Sequence, residues 1–146
     1  MPDKLLTGGC LCGGVRFEVT ETPTDAGYCH CTRCQHRSGT AAAATATVVP
    51  GSVTITQGEE LLKAFEPEGG FPKVFCSVCG SALFTRAPGA SEPYGVRMGA
   101  FDEDPGVPLT YRQHLDSAAS WEPVPEDGTE RYPASRPRPT APPATP

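Results

Sequence analysis

The sequence lacks the marks of several large protein classes. It holds one tryptophan, two methionines and three histidines in 146 residues. No apolar run approaches the ~20 residues that a helix needs to cross a bilayer, so no membrane partner is expected. The first residues, Met1-Pro2-Asp3-Lys4-Leu5-Leu6, have no apolar core of the kind a secretory signal requires. A cytoplasmic location is the expectation. Basic residues are outnumbered, 12 lysines and arginines against 17 acidic residues, for a net charge of −5. Nucleic-acid affinity rests on a basic footprint, so no nucleic-acid partner is expected. There is no serine-hydrolase elbow and no phosphate-binding glycine loop. Gly8-Gly9 and Gly13-Gly14 fail as a dinucleotide fingerprint because no helical pattern follows them.

The chain is rich in turn formers, with 16 glycines and 17 prolines. Such a content disfavours a helical protein and points to short strands joined by many turns. The length suits one domain, and a chain of this size buries about 68% of its unfolded surface. Val15, Phe17 and Val19 alternate with Arg16, Glu18 and Thr20, the period of a half-buried strand. Glu21 to Gly27 reads as a turn-rich connection, and Gln35 to Thr40 as a short helical turn or loop stopped by Gly39. Further strands are expected over Ala41–Val49, Ser52–Thr56 and Leu61–Phe65, on either side of Cys76–Gly80, and over Tyr94–Phe101 and Leu109–Leu115. The last 14 residues, from Pro133, include six prolines and no large apolar side chain. Residues 1–132 are therefore expected to form a single domain and residues 133–146 a disordered tail that adds nothing to a core.

Against this background the seven cysteines stand out by their grouping: Cys10 and Cys12, then Cys29, Cys31 and Cys34, then Cys76 and Cys79. An odd count argues against a closed disulfide set, and close-set thiols in a reducing compartment read as metal ligands. Zinc takes tetrahedral thiolate ligands at ~2.3 Å, and structural sites use four of them. The two pairs supply four without touching the triplet, which leaves Cys29, Cys31 and Cys34 as a three-ligand site with an open fourth position. A bridged two-metal cluster that shares thiolates is the main competitor. The triplet could also be structural and borrow a fourth ligand. In Cys76-Ser77-Val78-Cys79-Gly80, flanked by strands, the turn would aim both thiolates at one metal with Gly80 in the left-handed region.

Other residues are weaker candidates. His30 sits between two ligands and is expected to point away from any metal they face, behind the ligands or at the surface. His36 and Arg37 could bind an anion or acidify a thiol, but read first as a solvated turn. His114, Asp116 and Ser117 could form a site rim or an ordinary strand end. Trp121 reads as a core or lid anchor, because a large ring gains most from burial.

Three stretches, taken in order, resemble a known family. They are Gly8-Gly9-Cys10-Leu11-Cys12-Gly13-Gly14-Val15-Arg16, Cys29-His30-Cys31-Thr32-Arg33-Cys34 with Ser38-Gly39, and Phe75-Cys76-Ser77-Val78-Cys79-Gly80-Ser81-Ala82-Leu83-Phe84. His114-Leu115-Asp116-Ser117 with Trp121 is a looser match. The pattern is similar to that of the glutathione-dependent formaldehyde-activating enzymes, a family that also includes centromere protein V. The resemblance implies a mainly β, mostly antiparallel fold of the β-tent kind with short helical turns. It implies two zinc ions per chain, one structural on Cys10, Cys12, Cys76 and Cys79 and one labile and catalytic on Cys29, Cys31 and Cys34. It also implies a carbon–sulfur lyase that joins glutathione, a small-molecule thiol, to formaldehyde as S-hydroxymethylglutathione. His114 or Asp116 would then move the proton. The centromere relative suggests the alternative, a non-catalytic zinc-stabilised binding module.

Overall fold

The alternation read in residues 14–20 is carried into the structure by burial. Val15, Phe17 and Val19 are 0, 1 and 0% exposed, while Arg16 and Glu18 between them remain partly exposed. In the computed structural model, which describes residues 4–137, the strands are β1 (Leu6–Gly9), β2 (Arg16–Val19), β3 (Asp25–Cys29), β4 (Ala43–Thr47), β5 (Val53–Gln57), β6 (Leu62–Phe65), β7 (Lys73–Cys76), β8 (Ala82–Arg86), β9 (Pro93–Arg97), β10 (Leu109–Gln113) and β11 (Glu130–Arg131). One α-helix, α1 (Thr32–Ser38), and three short 3-10 turns complete the described residues. The protein is mainly β.

Cα packing groups the chain into two compact units. The first unit comprises residues 1–27 and 44–110, and the second residues 28–43 and 111–146. Each is thus assembled from two separate stretches of chain.

In the first unit β1, β2 and β5 form a three-stranded sheet with β2 in the middle. Both pairings are antiparallel, with Gly8 opposite Phe17. Gly8 has no substitute here: a Cβ would lie 2.3 Å from the Ala100 carbonyl oxygen and 2.4 Å from the Phe17 ring. The run β4-β9-β8-β7-β6 is also antiparallel throughout. Phe17 is the ring on which this unit packs. It meets Phe84 of β8 edge-to-face at 5.1 Å and Phe101 at 6.0 Å, among Leu6, Val74, Leu83 and Val96. Removing such a ring from a core typically costs ~3–5 kcal/mol.

The second unit holds the end of β3, helix α1, the end of β10 and β11. β11 lies parallel to β10, with Tyr111 opposite Glu130 and Arg112 opposite Arg131. Helix α1 starts three residues earlier than the turn read from the sequence and stops where expected. Gly39 adopts φ 70° and returns its N–H to the Gln35 carbonyl, a left-handed helix end that glycine takes without steric penalty.

Several boundaries differ from expectation. The connection expected over Glu21–Gly27 becomes β3 from Asp25, where the Thr24 N–H bonds the Thr47 carbonyl at 2.9 Å. Asp25-Ala26-Gly27 is a weak strand former, so pairing overrides propensity. The strand from Tyr94 stops at Arg97, because Met98–Ala100 winds into a 3-10 turn. The last long strand stops at Gln113, because His114 turns left-handed at φ 58°.

The tail expected from Pro133 is held for its first four residues. The His114 and Asp116 N–H groups donate to the carbonyls of Ala134 and Pro133 at 3.0 and 3.1 Å. The Arg136 N–H donates to Gln113 Oε1 at 2.9 Å, and its guanidinium lies 4.1 Å over the Tyr111 ring. These residues offer little apolar surface to bury and contribute hydrogen bonds instead. The rest of the expected tail, residues 138–146, lies outside the described residues. Each such bond contributes ~0.5–1.5 kcal/mol net. A chain ending at Tyr132 is therefore expected to melt at least about 5 °C lower than the full chain, which thermal unfolding by circular dichroism checks.

Candidate metal centres and the residues around them

The first cysteine group is built from two turns of the first unit. β1 delivers Cys10 into a tight loop in which the Gly13 N–H bonds the Cys10 carbonyl at 3.1 Å. Gly13 sits at φ 78°. β7 ends on Cys76, and the Gly80 N–H returns to its carbonyl at 2.8 Å. Gly80 has φ 77°, the left-handed position expected of it. Ser81 joins the two turns, since its Oγ accepts the Leu11 N–H at 3.0 Å and lies 3.2 Å from Cys79 Sγ.

The four sulfurs of Cys10, Cys12, Cys76 and Cys79 all lie within 4.8 Å of one another. Cys10 and Cys12 are 3.5 Å apart, Cys12 and Cys76 3.9 Å. A tetrahedron with metal–sulfur distances of ~2.3 Å has edges of ~3.8 Å, so the spacing fits a four-thiolate metal ion. The donors around the sulfurs favour the same chemistry. The Val15 N–H points at Cys10 Sγ at 3.2 Å. The Ser81 hydroxyl, with backbone N–H groups behind it, brings the Cys79 thiol down to about 5, while Cys12, against a Gly14 N–H that opposes the shift, is pushed up to about 11 by the neighbouring Cys10 thiol. A thiolate is the form that a metal binds.

The second group lies wholly in the second unit. Cys29 ends β3, Cys31 is the N-cap of α1 and Cys34 faces inward from its first turn. The Cys34 N–H donates to Cys31 Sγ at 3.3 Å, which fixes the rotamer of Cys31 and satisfies a backbone donor that the helix start would leave unpaired. The three sulfurs also lie within 4.8 Å of one another. Their crowding has an electrostatic consequence: the bond with Cys34 and then burial push the Cys29 thiol well above its usual range. Three thiolates this close repel, and a bound cation is the natural counter-charge. All seven cysteines are free of disulfides. Both groups can hold a metal ion.

A sequence profile of the glutathione-dependent formaldehyde-activating enzymes matches residues 5–117. The chain belongs to this family. A Halomonas elongata protein named for glutathione-dependent formaldehyde activation is 28% identical over 124 residues, 80% of this chain and 79% of its own. The crystal structure of a Rhodobacter sphaeroides protein matches with a TM-score of 0.54 at 28% identity, over 71% of this chain and 99% of that one. Both cysteine groups of this family member fall inside the matched residues. The segment from residue 118 onward, including β11, falls outside them.

Around the triplet the structure places each of the other candidate residues. His30 is buried at 4% exposure, with Nε2 3.1 Å from Arg112 Nη1. Burial, and then the charge of Arg112, hold its pKa below the usual value. Arg112 is itself 8% exposed, stacks over the Tyr28 ring at 4.2 Å and pairs with Asp127 at 3.0 Å. His36 is exposed, as expected of a solvated turn, and Arg37 is half-buried. His114 is half-buried with Nε2 3.1 Å from the Ser135 hydroxyl, and Asp116 is exposed. The turn that carries them is tied to the helix by Gln35, whose side-chain amide donates to the carbonyls of His30 and Ser117, both at 2.8 Å. Trp121 anchors no core. It is 67% exposed, in a turn where the Glu122 N–H reaches back to the Ala119 carbonyl.

Gln35, Arg112 and Asp127 are the functional-site neighbours that sequence reasoning missed. Gln35 stood beside the triplet and could have been weighed as an amide clamp. Arg112 lies 82 residues from His30 and carries no local signal.

Two expectations follow. Cys76→Ser or Cys10→Ser is expected to unfold or insolubilise the chain, since structural metal binding in small sites couples to folding with ~10 kcal/mol or more. Cys31→Ser is expected to leave a folded chain with one metal ion fewer by elemental analysis. The second expectation concerns acid. The Thr129 hydroxyl and N–H, and then Arg112, hold the Asp127 carboxyl well below its usual range. The folded state thus favours the carboxylate, and the stabilisation is present above ~pH 4 and lost on acidification below it. Asp127→Asn is expected to be less stable than wild type at pH 7, and the gap is expected to close as denaturation is repeated below pH ~4.

Proposed function

We propose that this chain is a cytoplasmic, zinc-dependent carbon–sulfur lyase-type enzyme with two zinc ions, one structural and one labile. Its reaction joins a thiol to an aldehyde, with glutathione and formaldehyde giving S-hydroxymethylglutathione as the leading pair. The observation that carries the reading is the three-thiol group of Cys29, Cys31 and Cys34, set apart from a four-thiol group that is complete in itself. A zinc ion on the triplet would supply a positive charge that favours the thiolate form of an incoming thiol or polarises an aldehyde oxygen.

The chain's own residues do the rest. The Cys34 N–H holds Cys31 in a fixed rotamer, and Gln35 holds the Ser117 turn against the start of α1. That turn carries His114 and Asp116, the candidates for moving the proton. With Nε2 of His114 engaged by Ser135, Nδ1 is the ring atom for the transfer. The balance is simple. The S–C bond forms as the carbonyl π bond breaks, and the thiol proton ends on the new hydroxyl oxygen. Release of an aldehyde from a hydroxymethyl thiol is the same step reversed.

A binding module is the second reading, favoured by Leu11 and Val78. These apolar side chains at the tips of the two turns of the four-thiol group are 89 and 66% exposed. Exchange spectroscopy on formaldehyde–glutathione mixtures separates the two, with the uncatalysed addition as baseline. Acceleration by wild type that disappears in Cys31→Ser is the expected result. No acceleration with glutathione or smaller thiols, by protein shown to hold two zinc ions, leaves the binding module as the better reading.

A further inference from the structure

The loop that carries the triplet is gripped from behind by a charged chain of contacts within the second unit. His30 stands between Cys29 and Cys31, and its backbone N–H donates to the Gln113 carbonyl at 3.0 Å. Its Nε2 faces Arg112 Nη1 at 3.1 Å. A guanidinium has donors only, so Nε2 must be the acceptor and the ring proton sits on Nδ1. Arg112 in turn donates through Nη2 to Asp127 Oδ2 at 3.0 Å. Asp127 is fixed by two contacts to its Oδ1, from the Thr129 hydroxyl at 2.7 Å and the Thr129 N–H at 3.1 Å. Arg112 Nε is buried with no hydrogen-bond partner, so the guanidinium is held by His30, Asp127 and the Tyr28 ring rather than by a full shell.

We propose that Asp127, Arg112 and His30 form a positioning relay that presets the Cys29–Cys34 loop for its metal ion, with Asp127 supplied by a segment beyond the family match. The family match ends at residue 117, and Asp127, the anchor of the relay, lies beyond it. A buried guanidinium needs a counter-charge, and Asp127 provides it. Arg112 then fixes the tautomer and ring plane of His30, and with them the backbone on which Cys29 and Cys31 are mounted. Partners behind metal ligands commonly change metal affinity by about 10–100-fold. None of the three is a catalytic residue, since each acts through the thiols it positions.

The proposal rests on the reading of the triplet as a labile metal site, and the test separates the two. Zinc-loaded full-length protein is titrated with the chromophoric chelator 4-(2-pyridylazo)resorcinol, which resolves a weak and a tight release step. Asp127→Asn is expected to weaken the weak step by about tenfold and leave the tight step unchanged, with Asp127→Glu recovering part of the loss. Arg112→Lys, which keeps the charge and loses the planar fork, is expected to weaken it further. Histidine 15N spectra give a readout independent of metal affinity: His30 protonated on Nδ1 in wild type, and a mixed tautomer signal in Arg112→Lys. Asp127 is largely solvent-accessible, so Asp127→Asn keeps the test open if the arginine variant fails to fold. A weak step unchanged in Asp127→Asn, or both steps shifted equally, overturns the relay while the labile site stands. Absence of any weak step in wild type removes the labile site and the relay with it.

Discussion

Bringing Cys12 to within 3.9 Å of Cys76, across 64 residues of sequence, is the constraint on which the first unit turns. Closing a loop of that length costs about 4 kcal/mol of chain entropy, and crowding four sulfurs adds to it as soon as more than one ionises. Neither cost is met locally, because Ser81 ties the two turns by a single hydrogen bond, from the Leu11 N–H. The Phe17 stack and the sheets bring the turns near each other, and a bound dication would balance their charge. The fold and the metal chemistry therefore depend on each other.

The second cysteine group solves a different problem. Its three sulfurs come from six consecutive residues, so loop closure costs little and local geometry decides their directions. That geometry is a helix start: Cys31 caps it, Cys34 follows in the first turn, and Cys29 is delivered by the strand before it. The two groups therefore differ in assembly: one needs long-range closure of the chain, the other a single local helix start.

Much of this was legible in the chain. Both cysteine groups assemble as spacing suggested, because Cys-x-Cys and Cys-x-x-Cys with flanking glycines encode their own turns. Phe17 and its neighbours announced β2 by alternation. What escaped was whatever depends on distant partners. β3 begins at Asp25-Ala26-Gly27, whose residues disfavour strands, and exists because an adjacent strand offers pairing. Arg112 reads in sequence as one polar position of a strand, and only the fold shows it buried on His30. Trp121 misled for the opposite reason, since a large ring implies burial only where apolar neighbours surround it. Pro133 to Arg136 look featureless to any argument from hydrophobicity, yet their carbonyl and amide groups clasp the His114 turn.

The interleaving of the two units has a consequence for how the protein is made. Every residue of the first unit has been synthesised once Thr110 has been added to the chain. The second unit also needs residues after Tyr111, among them β11 and Ala134, whose carbonyl accepts the His114 N–H. As the nascent chain leaves the ribosome, Cys10, Cys12, Cys76 and Cys79 can close around an ion while Cys29, Cys31 and Cys34 still wait for their unit. Translation thus completes the unit that holds the quartet before the unit that holds the triplet.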